Sequence, residues 1–103
     1  MVDELDSSDF VPKVLAADGK VMVEFFATWC PHCQRMAPIM EELQEDEKGE
    51  ASVYRVDVDK EPELANTYAP EGFPTFCVFE GGEVVRQAMG EQTLAYLEGL
   101  LDF

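Results

Sequence analysis

Basic residues are scarce in this chain: 7 lysines and arginines stand against 22 aspartates and glutamates, giving a formal charge of −15 at pH 7. Such a charge repels nucleic acid and anionic membrane surfaces, so neither is an expected partner. Long uncharged apolar runs are also absent, which argues against a transmembrane helix. Residues 1–6 lack the basic and apolar regions of a signal peptide, so we expect a cytoplasmic location, with secretion as the alternative if a leader has been removed.

Cysteine is also rare. Three cysteines are too few, and odd in number, for a secreted domain held together by disulfides. Hydrophobic residues nevertheless make up 47% of the chain, well above the content of a disordered polymer. A length of 103 residues leaves room for one domain with a modest core. We therefore expect a single domain over residues 1–103, and a monomer.

Two of the three cysteines lie close together, as Cys30 and Cys33, directly after an apolar run at residues 21–26. If Cys30 lies at the start of a helix, its sulfur faces unpaired N–H groups and the positive helix end, which favour a thiolate. A disulfide across so short a loop would constrain the unfolded chain very little, so a stabilising role explains the pair poorly. The spacing indicates thiol–disulfide chemistry.

The rest of the chain alternates between strand and helix patterns. Apolar runs at 20–26 and 53–58 predict central strands, and Gly81-Gly82 predicts a hairpin between strands at 75–79 and 83–87. Four helices are predicted. The first presents an apolar face of Phe10, Val11, Val14 and Leu15, and the second runs from Pro31 to about residue 48. The third begins at Pro62, and the fourth carries a stripe of leucines near the end of the sequence. The order β-α-β-α-β-α-β-β-α, with a short first edge strand near 2–5, predicts an α/β fold with a central mixed β-sheet flanked by helices on both faces.

Over nearly its whole length the chain resembles the thioredoxin family. The matching segments are residues 23–30, Ala37-Pro38, 55–59, 72–75, Phe79, Gly82-Glu83 and Gly90. The resemblance implies the thioredoxin fold and exchange of a Cys30–Cys33 dithiol/disulfide with protein disulfides, with no other cofactor. Two departures stand out: Pro31-His32 is the dipeptide of DsbA-type oxidases rather than Gly-Pro, and Glu24 stands where thioredoxins usually carry Asp.

Roles for the motif follow from the resemblance and from thiol chemistry. Cys30 is expected to be the exposed, activated nucleophile, and Cys33, one turn later and more buried, the resolving thiol. His32 lies in the first helical turn, where a protonated ring would further stabilise the Cys30 thiolate. The alternative for His32 is an ordinary surface histidine. Pro38, within the same helix, removes one backbone hydrogen bond and is expected to kink it.

Glu24 interrupts an otherwise apolar strand, and a buried carboxylate requires a partner. Arg55, on the neighbouring predicted strand, is the candidate for a structural ion pair. The functional interpretation makes Glu24 a proton acceptor with a raised pKa that serves Cys33 through water. The two roles are compatible.

The resemblance also implies a substrate surface. A cis bond between Phe73 and Pro74 would keep the backbone close to the cysteine pair, where a substrate peptide could pair with it in strand fashion. Trp29, Pro31, Phe73 and Met89-Gly90 would form its apolar rim. The alternative for Pro74 is an ordinary turn proline.

Three classes of function remain open. The first is a thiol–disulfide oxidoreductase, either a reductase recycled by a thioredoxin reductase or other dithiol donor, or a dithiol oxidase or isomerase of an oxidising compartment. The second is a metal site made from Cys30, His32, Cys33 and Cys77, which is disfavoured because Cys77 lies in an apolar strand and is expected to serve core packing. The third is a non-catalytic thioredoxin-fold binding module, which would not require both cysteines.

Overall fold

A five-stranded mixed sheet forms the centre of the protein in the computed structural model, which describes residues 1–103. The elements are β1 (Asp3–Glu4), α1 (Ser7–Phe10, continued by wider π-helical turns over Val11–Leu15), β2 (Lys20–Phe26), α2 (Pro31–Asp46), β3 (Ala51–Asp57), α3 (Pro62–Tyr68), β4 (Thr75–Glu80), β5 (Glu83–Met89) and α4 (Leu94–Leu101). The predicted element order and α/β fold class are confirmed.

The sheet has the strand order β1-β3-β2-β4-β5. β3 lies parallel to both β1 and β2, whereas β4 lies antiparallel to β2 and β5. β2 is therefore a central strand with a partner on each side, as its apolar sequence predicts. In the register of β2 and β3, Glu24 lies directly beside Arg55.

Helices cover both faces of the sheet. On one face, Phe10 and Val14 pack with Val23, Phe25 and other core residues, joined by the partly buried Leu64 and Tyr68 of α3. On the other face, Met36, Met40 and Leu43 of α2 pack with Leu97 and Leu101 of α4 against Met22, Val53, Phe76 and Val78. Alternation along β2 sends Val23 to the first face and Met22 to the second, because successive strand residues point to opposite sides.

Several predicted details are wrong. Val11 does not join the buried helical face but is 58% exposed, because the helix widens after Phe10 so that Ala16 donates its N–H to the Val11 carbonyl. β3 begins at Ala51 rather than at residue 53, because its pairing with β2 starts opposite Lys20. β5 continues to Met89, which pairs with Thr75. Sheet pairing across the chain sets these boundaries, and local hydrophobicity does not reveal it.

The longest helix, α2, carries the cysteine motif at its start and has 16 residues. It ends at Asp46, two residues before the predicted end, and Pro38 lies inside it. Because β2 leads directly into α2, the sheet positions the first turn of this helix. No helix of the protein combines the length and apolar character that crossing a bilayer requires.

Candidate active site

Cys30 occupies the residue immediately before the first turn of α2. Its backbone is extended, and Pro31 follows at the first helical position, where the missing N–H costs no hydrogen bond. The Cys30 carbonyl accepts the N–H of Gln34 at 2.9 Å, which starts the helical hydrogen-bond ladder. The side chain therefore lies at the positive end of a 16-residue helix, the position that the spacing predicts.

Cys30 is buried, with only 6% of its surface exposed, so the expectation of an exposed nucleophile is wrong. The side chain turns onto the first turn of α2, where it meets the backbone of His32 and Cys33 and the Cys33 thiol. Those contacts direct the sulfur along the helix start instead of out into solvent. Cys33 is buried more deeply, at 1% exposure, and both residues are free thiols in this structure.

The two thiols differ in acidity. Burial raises the pKa of Cys30, but hydrogen bonds from the Cys33 backbone, the Cys33 thiol and the His32 backbone, together with the charge of Arg35, bring it below its ordinary value. Burial raises the pKa of Cys33 to about 12, and the Cys30 sulfur and the Glu24 carboxylate reinforce that increase against a hydrogen bond from the Ala27 backbone. Cys30 is thus the more acidic of the two thiols and loses its proton before Cys33 does.

Glu24 is completely buried in the middle of β2. Its Oε1 accepts a hydrogen bond from Arg55 Nε at 2.8 Å, whereas Oε2 has no protein partner. Burial raises the pKa of Glu24, although Arg55 opposes this with its charge and hydrogen bond. A buried carboxylate oxygen without a partner is energetically costly, so a proton or a water molecule is the natural occupant of that position.

Arg55 connects Glu24 to the first turn of α2. Its guanidinium lies 3.9 Å from the centre of the Phe26 ring, and its Nη2 lies 3.5 Å from the Cys33 carbonyl oxygen. A cleft of about 280 Å³ opens beside these groups, lined by Phe26, Ala27, Thr28, Cys33, Gln34, Ala37 and Arg55. Its volume is sufficient for water to reach the Cys33 side of the site.

His32 is exposed, and its ring is directed away from the sheet toward the loop after β5. Nδ1 lies 2.5 Å from Glu91 Oε1 and 2.9 Å from Arg35 Nη2. The cation that acts on Cys30 is Arg35, one turn further along α2. Tuning of Cys30 by the His32 ring stays a prediction.

Apolar side chains with exposed surface lie beside the cysteine motif and along the segment around β4 and β5. Trp29 is 62% exposed and Met89 55% exposed, and the Trp29 ring meets the half-buried Phe73 ring edge-on at a centroid distance of 5.3 Å. The indole N–H of Trp29 donates to Asp59 Oδ2 at 2.8 Å, which fixes the ring orientation. Exposed aromatic surface of this kind suits protein contact.

The loop before β4 completes this rim. The Phe73–Pro74 peptide bond is cis, and Pro74 is buried beneath the rim. Gly90, with φ of +91°, donates its N–H to the Pro74 carbonyl at 2.8 Å and so draws the β5–α4 loop alongside. Pro31 is exposed at the start of α2, next to Trp29. The predicted rim residues Trp29, Phe73 and Gly90 are thus connected, with the buried Pro74 linking Phe73 to Gly90.

Cys77 belongs to a different environment. It is fully buried in β4, where the Gln87 side-chain amide donates to its sulfur at 3.4 Å. Burial raises the pKa of Cys77 to about 11, which keeps it a thiol. No group of three or more His, Cys, Asp or Glu side chains is arranged to hold a metal ion.

Two charged residues of the site escaped sequence reasoning. Arg35 contributes the positive charge near Cys30, and Glu91 accepts hydrogen bonds from Arg35 and contacts His32. The His32–Arg35 spacing of three on a helix could have indicated that those two side chains are neighbours. No local pattern indicates Glu91, which is 56 residues from Arg35 in sequence.

Comparison with known proteins agrees with this geometry. The family model "Thioredoxin" matches residues 1–102. A thioredoxin from Staphylococcus epidermidis is 38% identical over 99 residues, covering 96% of this chain and 93% of that protein. A bifunctional thioredoxin reductase/thioredoxin from Mycobacterium leprae is 34% identical over 94 residues, covering 91% of this chain but 20% of its own length.

A protein disulfide isomerase-like 2-3 from Oryza sativa is 45% identical over 80 residues, 78% of this chain and 18% of that protein. The chain therefore spans about a fifth of each of the two longer relatives and nearly the full length of the Staphylococcus thioredoxin. The match over residues 1–102, together with the paired thiols at the start of α2, shows that this chain belongs to the thioredoxin family of thiol–disulfide oxidoreductases.

Proposed function

We propose that the protein reduces disulfides in other proteins through Cys30 and Cys33, with a more oxidising site than that of thioredoxins with a Gly-Pro dipeptide. The observation that carries this proposal is the opposite acidity of the two thiols at one helix start. The pKa of Cys30 is lowered, whereas burial raises that of Cys33 to about 12. Exchange requires one ready thiolate and one thiol that reacts only after its proton is removed.

In the first step, the Cys30 thiolate attacks one sulfur of a substrate disulfide. The substrate S–S bond breaks, a mixed disulfide to Cys30 forms, and the other substrate sulfur leaves as a thiolate. In the second step, the Cys33 sulfur attacks Cys30 and releases the second substrate thiolate. Two electrons have then passed to the substrate, and Cys30 and Cys33 share a disulfide.

Glu24 is the proposed acceptor of the Cys33 proton. Its unpartnered Oε2 and the cleft beside Cys33 support transfer through a water molecule, and Arg55 positions the carboxylate by holding Oε1. The proton can then pass to a departing substrate thiolate. Among the ionisable side chains that contribute to the raised pKa of Cys33, Glu24 is the one carboxylate.

The rim is the proposed substrate surface. Trp29, Pro31 and Phe73 offer apolar contact, and the Phe73 backbone is the proposed pairing partner of an extended substrate segment. A thioredoxin reductase or another dithiol donor would restore the dithiol. We also propose that the protein is cytoplasmic and monomeric. Because its charge of −15 repels nucleic acid and anionic membrane surfaces, we propose that its function involves neither.

The proposal is tested by reduction of insulin disulfides with dithiothreitol as electron donor. Cys30→Ser is expected to abolish catalysis, and Cys33→Ser, reduced and then freed of dithiothreitol before insulin is added, is expected to accumulate a mixed disulfide detectable by mass spectrometry. Cys77→Ala is the matched control, because the hydrogen-bond partners of the Cys77 sulfur are Tyr68 and Gln87 and not the motif, and it is expected to retain activity. Full activity of Cys30→Ser would contradict the proposal, and an inactive parent protein would favour a binding module.

A dithiol oxidase or isomerase is the second candidate, and the identity with the Oryza sativa isomerase-like protein favours it. The same residues would then run the exchange in the opposite direction. The reduction potential distinguishes the two, because stabilising the Cys30 thiolate stabilises the reduced protein and makes its disulfide a stronger oxidant.

A further inference from the structure

We propose that Glu91 is a positioning residue for the exchange reaction: its carboxylate holds Arg35 and His32 and limits the positive charge that acts on Cys30. This inference rests on the proposed function, in which Cys30 supplies the attacking thiolate. Glu91 follows Gly90 directly in the loop between β5 and α4, so it lies at the border of the proposed substrate rim.

One oxygen of the Glu91 carboxylate, Oε1, makes its hydrogen-bond contacts with both Arg35 and His32. Oε1 lies 2.8 Å from Arg35 Nε, 2.5 Å from Arg35 Nη2 and 2.5 Å from His32 Nδ1. Hydrogen bonds to charged partners are shorter and stronger than neutral ones, and two guanidinium nitrogens fix the direction of the Arg35 side chain. Glu91 therefore ties the first turns of α2 to a loop 56 residues away in sequence.

His32 and Arg35 compete at this position. Arg35 Nη2, which can only donate, lies 2.9 Å from His32 Nδ1, and the acceptor Glu91 Oε1 lies 2.5 Å from that same nitrogen. Nδ1 can accept from Arg35 or donate to Glu91, but it cannot do both. When Nδ1 carries a proton, His32 shares the Glu91 carboxylate with Arg35, and when Nδ1 carries none, Arg35 is the donor to both Glu91 and His32.

Arg35 links this cluster to the reacting sulfur. Its positive charge lowers the pKa of Cys30, and the pKa of Arg35 is raised first by its hydrogen bond to Glu91 and in smaller part by the Cys30 charge. Hydrogen bonds from Arg35 and His32 lower the pKa of Glu91 to about 2, so its negative charge persists at neutral pH. The Arg35 guanidinium therefore interacts with both the Cys30 thiolate and the Glu91 carboxylate, and the Glu91 charge offsets part of the effect of Arg35 on Cys30.

Glu91→Gln tests this charge balance, because glutamine retains the shape and one acceptor oxygen but removes the charge. The pKa of Cys30, measured from the pH dependence of its alkylation by iodoacetamide, is expected to fall by about half a unit, equivalent to about threefold more thiolate per thiol. Glu83→Gln, at the opposite end of β5, makes the same change in net charge and is expected to leave the Cys30 pKa unchanged.

A double variant shows whether Glu91 acts through Arg35. Arg35→Gln alone is expected to raise the Cys30 pKa, and in that background Glu91→Gln is expected to shift it by less than half as much as in the parent. An unchanged or raised Cys30 pKa in Glu91→Gln, or an undiminished shift in the double variant, would overturn the inference. Failure of the parent protein to reduce insulin would count against the proposed function instead, since alkylation of Cys30 is measured independently of substrate turnover.

Discussion

At the scale of single residues, two chemically identical thiols acquire opposite properties within one helical turn. Cys30 precedes the helix and receives hydrogen bonds and positive charge, whereas Cys33 is enclosed by the sheet and has the buried Glu24 nearby. An environment that favours one ionised thiol and keeps its neighbour protonated gives the two steps of exchange a fixed order. The order follows from position in the fold, since the side chains are the same.

Glu24→Gln is expected to slow resolution of the mixed disulfide by at least about tenfold, because general-base assistance contributes about 10²–10⁴-fold and glutamine cannot accept a proton. Alkylation of Cys30, which reports the first attack, is expected to change little. Burial raises the pKa of Glu24, and only its ionised form is a base. In the parent protein, the resolution rate should therefore fall as pH decreases through that raised pKa.

The pH profile of resolution, followed by stopped-flow release of substrate thiol, measures this effect. Glu24→Gln should lack the inflection at the raised pKa, and Glu24→Asp, which keeps a carboxylate, should retain one. Equal resolution rates for the parent protein and Glu24→Gln across the neutral range would exclude Glu24 as the proton acceptor.

Site residues are predictable from the sequence where they depart from the pattern of the element around them. Glu24 within an apolar strand and two cysteines at a helix start are such cases, and the structure places Glu24 against Arg55, the partner that the strand pattern indicates. Reasoning failed for Glu91, because its contacts with Arg35 and His32 depend on where the loop after β5 packs. The prediction that Cys30 is exposed is wrong for a similar reason, since the direction of a side chain at a helix start depends on three-dimensional contacts.

At the scale of elements, apolar patterns together with turn and helix-start residues predict every strand and helix, but not all of their ends. β2 and the start of α3 lie where the pattern predicts, because a continuous apolar run and Pro62 mark them locally. The start of β3 and the end of β5 depend on pairing with β2 and β4. The π-helical turns after Phe10 include Pro12, which has no N–H to donate to a regular ladder.

The attachment of α4 depends on a few large side chains, because the helix has only 8 residues. Leu97 is fully buried against the face of the sheet that α2 also covers, so Leu97→Ala should lower the free energy of unfolding by about 2–5 kcal/mol. Leu100→Ala is the matched control. Because Leu100 is only partly buried, its replacement should lower the free energy of unfolding by less than Leu97→Ala does.

Urea denaturation of the oxidised parent protein and of the two variants measures the free energies of unfolding. Equal losses for Leu97→Ala and Leu100→Ala would mean that α4 does not pack through Leu97 as the structure shows.

At the scale of the whole molecule, charge and fold act on different properties. The charge of −15 favours solubility and repels polyanions, but it contributes nothing to the identification of the chemistry. The chemistry follows from the two cysteines that β2 positions at the start of α2, beside the exposed Trp29 ring and its contact with Phe73. Because β2, α2 and the loop before β4 together form this site, we expect the reduction potential to depend on the packing of these elements.

A redox titration against glutathione, with the oxidation state of each cysteine read by mass spectrometry, tests most directly whether Cys30 and Cys33 form a reversible dithiol/disulfide. We expect one two-electron transition at Cys30–Cys33, with Cys77 remaining a thiol. Its midpoint should lie between about −270 mV, typical of thioredoxin, and about −120 mV, typical of DsbA, on the order of −210 mV. His32→Pro should lower it by about 30 mV. The absence of a Cys30–Cys33 disulfide would contradict the proposed chemistry, and a potential near −270 mV, unchanged in His32→Pro, would contradict the more oxidising site.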